Sequence, residues 1–476
     1  MKILHVGSGF VPWRIGGLVA YAEDLMQAQV RRGHEVACFF SGRHYPYVSG
    51  PRLRRWRHRG VAMLEVVNSP LADHGRQPEP EISEPRLERM FARTLAELRP
   101  DVVHVQELAG LPSSLLEVAG DFGLPVVMTL HDYFLLCSTF KLFDSEGSVC
   151  LRRDIGADCV ATTATAPGGR QQLVNATIAL ELARAKEAVP LVRHMSFAPL
   201  RPVIEPVLRR VTGAHGAGRP EAQRAPVEGS AAAFQRRREA NVARLNRVDR
   251  LVAVSHRLSE IYGLLGVERE RMQIVHPTLE RLERMRPRRV TGRRPVTFAA
   301  LGGIPSRAKG AVLLAEAAAS LVAGGAAGGF RLLAFGHYEQ TVARELERLP
   351  GVELRGPYAG DELDHLLDEV DVGIMPSLWE EAYGLAGVEF LAKGIPVIGN
   401  AIGGIVDYVR DGETGWLNAS CDAAGLAAIM ARLIESPGDV ADRSRTALAA
   451  RGELIKPVDR HADDIEAIYR EVGMDA

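Results

Sequence analysis

The run Pro376-Ser377-Leu378-Trp379-Glu380-Glu381-Ala382-Tyr383-Gly384-Leu385-Ala386-Gly387-Val388-Glu389 places two carboxylates, Glu381 and Glu389, eight residues apart. It follows the apolar stretch Val372–Met375, which reads as a strand, and leads into a helical pattern, so it lies at a strand's C-terminal end. Helix N-termini present unpaired N–H groups and the positive end of the macrodipole, which suits a diphosphate. Gly384 lets backbone approach a ligand closely. Glu381 falls in the loop and Glu389 about two turns into the helix, so the two carboxylates sit at different depths. Carboxylates accept paired hydrogen bonds from vicinal sugar hydroxyls. Two such groups in isolation are more simply solvated helix-start residues. Pro376-Ser377 before them and Lys393-Gly394-Ile395-Pro396-Val397 after them favour a functional reading.

Three further stretches sit at strand ends. Gly302-Gly303-Ile304-Pro305-Ser306-Arg307-Ala308-Lys309-Gly310 follows the strand Val296–Leu301, which puts the Lys309 ammonium where it can neutralise a leaving diphosphate. The plain alternative is an exposed helix-start lysine. Ile15-Gly16-Gly17-Leu18 joins the first strand to the first helix, where glycine backbone can approach a phosphate or simply form a turn. Gly7-Ser8-Gly9 is no dinucleotide fingerprint, because the third glycine and the acidic residue ending the second strand are missing. Thr129-Leu130-His131-Asp132 ends another strand, with Asp132 either meeting an acceptor hydroxyl or capping a helix.

The Glu381-to-Glu389 spacing fits the Glu-x7-Glu pattern of retaining glycosyltransferases, and the surrounding run resembles family 4 of that class, which has the GT-B architecture. The resemblance is dense from Gly356 to Gly415 and looser elsewhere. It implies that Glu381 binds hydroxyls of the transferred sugar and Glu389 the ribose of a nucleoside-diphosphate-sugar donor. It places Tyr383, Gly384 and Leu385 in the donor site, with Gly16 and Gly17 against the phosphates and His131 near the donor sugar. Gly356-Pro357-Tyr358 would border the base, largely through backbone, although an ordinary turn fits as well. The family has Lys309 but also an Arg directly after the strand's glycine, where this chain has Gly303-Ile304, and Arg307 is the nearby substitute. The resemblance implies transfer of a glycosyl group with retention to a hydroxyl of a saccharide, lipid-linked or small-molecule acceptor, with no metal needed for catalysis. Glu381, His131 and Lys309 are the expected catalytic residues. A sugar-nucleotide epimerase or a phosphorylase of the same architecture, and an accessory protein that binds a nucleotide sugar, are the alternatives.

These residues need a scaffold that brings strand ends together. Short apolar runs alternate with helical patterns twice, which predicts an α/β protein of two Rossmann-like doubly wound domains facing across a cleft. The expected N-terminal domain covers 1–279 and takes the acceptor. Its stretch 161–246 shows no strand pattern and reads as a helical insertion, with helices over Leu173–Val189 and Ala232–Val248 and a loop over Pro199–Pro226. Residues 280–294 read as a linker, 295–460 as the nucleotide-sugar domain, and 461–476 as a helix crossing back to the first domain.

At 476 residues with 46% hydrophobic and 25% charged content, the chain can bury ample cores without disulfides. A net charge of −1 gives no global support for nucleic-acid binding. The run Arg52-Leu53-Arg54-Arg55-Trp56-Arg57-His58-Arg59 is locally basic and reads as a solvated face, or as a contact to an anionic membrane surface or phosphorylated acceptor. The chain shows neither a signal-peptide pattern nor a membrane-length apolar run, so a cytosolic location is expected, with peripheral contact at the inner membrane face as an alternative. Cys137, Cys150 and Cys159 cluster after His131. Three thiolates and a fourth ligand could hold a structural zinc, and buried free thiols are the simpler reading.

Overall fold

The apolar runs become strands because both of their faces are covered. The computed structural model describes residues 1–188 and 230–474, apart from 8, 12, 46, 145, 166–168 and 304–305. The first sheet comprises β1 (Lys2–Gly7), β2 (Glu35–Ser41), β3 (Arg52–His58), β4 (Val61–Val67), β5 (Val102–Val105), β6 (Val126–Leu130), β7 (Arg250–Ala253) and β8 (Met272–Ile274). Their order is β3-β4-β2-β1-β5-β6-β7-β8, parallel throughout except for β3 against β4. The second sheet comprises β9 (Val296–Ala300), β10 (Phe330–Phe335), β11 (Val352–Gly356), β12 (Val372–Met375), β13 (Val397–Asn400) and β14 (Gly415–Asn418). It is wholly parallel, in the order β11-β10-β9-β12-β13-β14. In each sheet the chain starts in the middle and reverses its direction of travel, at β1/β5 and at β9/β12. Such switch points leave a crevice at the strands' carboxyl ends.

The basic run at 52–59 forms an edge strand and its turn, and its arginines are solvent-exposed as expected. Arg59 (φ 45°) and Gly60 (φ 88°) make a two-residue turn of the kind that suits a hairpin, and β3 folds back antiparallel on β4. Trp56 packs its ring 4.6 Å from that of Phe10, while the arginines coat an exposed sheet edge, where charge discourages further pairing. Arg55 pairs with Glu97 and Arg59 with Glu23, so the patch is partly neutralised.

Of the predicted helical insertion, helices Ala157–Thr165, Gly169–Ala188 and Ala231–Leu245 are described; the loop expected over Pro199–Pro226 lies outside the described residues. Three arginines of Ala231–Leu245, Arg237, Arg238 and Arg244, are buried, while Arg236 is exposed. Arg237 donates to Phe134 O (2.9 Å) and pairs with Glu81 (2.6 Å), and Arg238 donates to Leu136 O (2.7 Å). They satisfy carbonyls in the segment that follows His131 and Asp132, and so fix that segment against the sheet.

The last helix, Val458–Met474, packs on the first, Gly17–Arg31. Tyr21 and His461 share a hydrogen bond of 2.8 Å, and Gln29 donates to Tyr469 (3.2 Å). The stretch read as a linker holds a short helix, Glu280–Arg284, that reaches the cleft. Among the described residues no helix is long and apolar enough to cross a membrane.

Candidate functional site

A cleft of about 820 Å³ lies between the two sheets. The second sheet lines it with Leu301 after β9, Gly336 after β10, Pro357 after β11 and Pro376 after β12. The first lines it with Gly16 and Gly17, His131 after β6, Val254 after β7 and Pro277 after β8. Both sets are carboxyl-end loops, as two switch points facing each other require.

Lys309 ends the short 3-10 turn Arg307–Lys309, which continues through Gly310 (φ 80°) into the helix Ala311–Ala323. Its Nζ lies 2.5 Å from Glu381 Oε1 and 4.9 Å from the Trp379 ring centre. Ser377 Oγ donates to the same oxygen (2.7 Å). Burial raises the Glu381 pKa, but the Lys309 ammonium and the Ser377 hydroxyl outweigh it and hold the carboxyl below its ordinary value. Glu381 is therefore an anion at neutral pH, buried yet aimed at the cleft.

Gly384 (φ 86°) caps the helix Leu385–Lys393 in the left-handed region, where a Cβ would meet the Tyr408 hydroxyl at 2.9 Å. Glu389 sits within that helix, buried, and its Oε1 accepts from Arg281 Nε (2.7 Å) and pairs with Nη2 (2.5 Å). Burial pushes the Glu389 pKa up and Arg281 only partly offsets this. Gly303 is pinned by its N–H to Phe335 O (2.7 Å). Tyr358 borders the cleft edge-on to Phe335, with ring centres 6.0 Å apart.

His131 lines the cleft from the other side. Its Nε2 is 2.9 Å from Gln106 Oε1, an acceptor, so the ring carries its proton there. Burial, followed by the charge of His461, pushes its pKa down to about 3, which makes it a neutral imidazole.

The predicted site residues Gly16, Gly17, His131, Gly303, Lys309, Tyr358, Glu381, Tyr383, Gly384, Leu385 and Glu389 all line this one cleft. Arg307 does not. It is exposed and lies against Gly147 of the facing domain, so the structure does not place it as the substitute phosphate clamp. Asp132 is also off the cleft lining. No helix follows it to cap; its Oδ1 accepts from Phe134 N (2.8 Å) within a turn, and burial with neighbouring Glu107 pushes its pKa up to about 7. The three cysteines are free thiols, and the Arg152 guanidinium reaches both Cys150 Sγ (3.3 Å) and Cys159 Sγ (3.6 Å). Among the described residues the group with metal-ligand proximity is His256, His276 and Asp407, and a cation is disfavoured beside that guanidinium.

Sequence reasoning missed Arg281, which no motif marks within the supposed linker. It also passed over Lys141, whose pKa is lowered by burial and by the Lys309 ammonium. It treated Glu380 only as part of the run. Glu380 takes a bidentate hold from Arg257 (2.7 and 3.2 Å) across the domain boundary.

Two facing Rossmann-like units with a ligand-sized cleft between their carboxyl edges define the GT-B class. Residues 295–436 match the family described as glycosyl transferases group 1, and residues 16–175 match the glycosyl transferase 4-like domain; together they cover more than half of the chain. The chain belongs to this group 1, 4-like glycosyltransferase family. It is 33% identical over 114 residues to a D-inositol 3-phosphate glycosyltransferase of Streptomyces scabiei, covering 24% of this chain and 25% of the relative. It is 28% identical over 260 residues to D-inositol 3-phosphate glycosyltransferase 2 of Catenulispora acidiphila, covering 47% and 59%. The chain thus spans from a quarter to three-fifths of the length of these curated relatives. Anabaena Alr3699/HepE, solved in complex with UDP and glucose, superposes with a TM-score of 0.59 at 14% identity over 99% of this chain and 100% of that one. This last likeness shows the fold.

Proposed function

We propose that this protein is a retaining glycosyltransferase that moves a sugar from a nucleoside-diphosphate sugar to an acceptor hydroxyl. One observation carries the reading: Lys309–Glu381 and Arg281–Glu389, two buried carboxylates each held by a cation, face the same cleft at the ends of β9 and β12. The family's transferase descriptions, and the UDP and glucose held by the HepE relative, support a nucleotide-sugar donor and favour transfer over epimerase, phosphorylase or non-catalytic binding.

In this reading the diphosphate lies between Lys309 and the N-terminus of the helix Leu385–Lys393, with Gly16 and Gly17 approaching it from the first domain. Glu381 accepts hydrogen bonds from hydroxyls of the transferred sugar, and Glu389 from the ribose. Tyr358 borders the base. His131, neutral and held by Gln106, offers its free nitrogen toward the donor sugar. As the glycosidic bond breaks, negative charge grows on the diphosphate, and Lys309 with the helix-start amides stabilises it. The acceptor enters mainly from the first domain and attacks from the face the diphosphate leaves, which retains the anomeric configuration. Domain closure excludes water and limits donor hydrolysis. The exposed arginines of β3 are a candidate contact to an anionic acceptor or membrane surface.

The test is direct. Purified protein is screened by thermal shift across nucleoside diphosphates, and turnover of the matching donor is followed for wild type and Glu381→Ala. Selective stabilisation by one diphosphate, with transfer lost in the variant, is expected. Normal turnover by Glu381→Ala would remove this site from the reaction.

A further inference from the structure

Behind Tyr383 of the cleft wall, three potential ligands meet at the seam between the domains. His256 is the first residue of the helix His256–Leu264, His276 follows β8, and Asp407 ends the 3-10 turn Gly403–Asp407 of the second domain. His256 Nδ1 and His276 Nε2 each lie 3.0 Å from Asp407 Oδ2, and one ligand atom from each residue falls within 4.8 Å of the others. We propose that His256, His276 and Asp407 form a divalent transition-metal site of the zinc type that clamps the two domains together.

Three physical points carry this. First, the donor set of two imidazoles and one carboxylate suits zinc, whose bonds of about 2.0–2.2 Å in tetrahedral geometry set ligand atoms about 3.3 Å apart. The two histidine-to-carboxylate separations of 3.0 Å need only a few tenths of an ångström of opening, and the third ligand pair lies within 4.8 Å. Second, the Asp407 side chain is 4% exposed, and its recorded ion-pair partners among the described residues are these two histidines alone. The carboxylate gathers these contacts on one oxygen, Oδ2, at the seam. Third, the ligands are held in place. The His256 backbone N–H donates to Asp407 Oδ2 (2.9 Å), and the His276 ring stacks on Tyr383 at 5.2 Å with planes 24° apart. Such outer contacts orient metal ligands and tune their affinity. His256 is 65% exposed, which provides an entry path.

The consequence is mechanical. Two ligands come from the first domain and one from the second, and Tyr383 lines the cleft on its far side. A bound ion therefore fixes the spacing of the cleft walls without touching a donor.

Full-length protein is stripped with chelator and titrated with Zn²⁺ by calorimetry, with Co²⁺ as a visible probe of ligand geometry. One ion per chain is expected, with a raised thermal midpoint and cobalt absorption of four-coordinate type. His256→Ala, at an exposed position, and Asp407→Asn should each weaken the Zn²⁺ affinity by at least about tenfold. Two variants guard against a folding artefact, and the His256→Ala midpoint without metal should match the wild type. No saturable Zn²⁺ binding to the stripped wild type, or binding unchanged in both variants, would overturn the proposal. The readout is metal binding, so failure here leaves the sugar-transfer reading intact, and failure of that reading leaves this one.

Discussion

Lys309 and Glu381 stand 72 residues apart in the chain and 2.5 Å apart in space, joined at the carboxyl ends of neighbouring strands β9 and β12. Neither charge is idle. The carboxylate stays ionised in a buried place because the ammonium is beside it, and the ammonium is held over the cleft by the carboxylate and the Trp379 ring. Lys309→Ala should lower kcat by ~10²–10³, the usual cost of removing one preorganised electrostatic contact. Glu381→Ala should be at least as damaging, and the double variant should be scarcely worse than either single one. Steady-state kinetics with donor and acceptor varied in turn check this, and independent multiplicative effects would show that the two residues do not act as a unit.

Arg281→Ala leaves Glu389 buried without its partner. Because Arg281 is itself about one-third exposed, the stability loss should be modest, about 1 kcal/mol. The larger effect should fall on donor KM, since Glu389 would no longer be held in place. Glu389→Gln should weaken donor binding with a smaller loss of stability. Chemical denaturation and donor titration on the same preparations separate the two effects.

Gly17 and Gly303 differ in what surrounds them. A Cβ on Gly17 meets the end of the Leu385 side chain at 2.9 Å, and that chain can turn aside. A Cβ on Gly303 meets backbone of His337 at 2.5 and 2.6 Å, at φ +78°. Gly303→Ala should cost at least the ~1–2 kcal/mol of a left-handed residue, while Gly17→Ala should be close to neutral in melting experiments. Gly17→Val should keep its fold but raise donor KM, because Leu385 belongs to the opposite domain.

His5 and His131 are held neutral by burial, with pKa values near 4 and 3 against an ordinary 6.5, and His104 is shifted in the same direction. Unfolded histidines take up protons below pH 6.5 while these do not, so the stabilising effect is complete above pH 6.5 and is lost as pH falls toward 4. Each fully shifted histidine contributes at most about 1.4 kcal/mol per pH unit in that window. Asp132, raised to about 7, works the opposite way over the same range, so the histidines should prevail only by their number. Denaturation midpoints from pH 7 to 4 should fall, and His5→Asn should flatten the slope. Ring-nitrogen NMR should show His131 neutral at pH 5, with its proton on Nε2.

Arg257 grips Glu380 across the domain boundary with bonds of 2.7 and 3.2 Å, and Glu380 also accepts from Gly403 N (2.9 Å). Arg257→Ala should loosen the closed arrangement. Small-angle scattering should show a larger radius of gyration, and donor KM should rise more than kcat falls.

The two sheets, their strand runs and the positions of Glu381, Glu389 and Lys309 at strand ends were legible in the residues. Buried parallel strands must be continuously apolar, and phosphate-binding loops must sit where strands give way to helices. The β3 strand was hidden because an edge strand carries charge for protection, so its arginines masked its pairing. The inward-facing Arg237 and Arg238 were hidden because nothing local reveals which carbonyls a distant helix will meet.

Sequence alone therefore determined the fold class, the buried strands and which loops could carry chemistry, since each depends on contacts between near neighbours along the chain. Tertiary structure decided the partners. It brought Arg281 to Glu389 and Arg257 to Glu380, gathered two histidines and Asp407 at one seam and turned Arg307 toward Gly147. Those pairings join residues from different elements, often from different domains. They depend on how two sheets face each other, which no local spacing records.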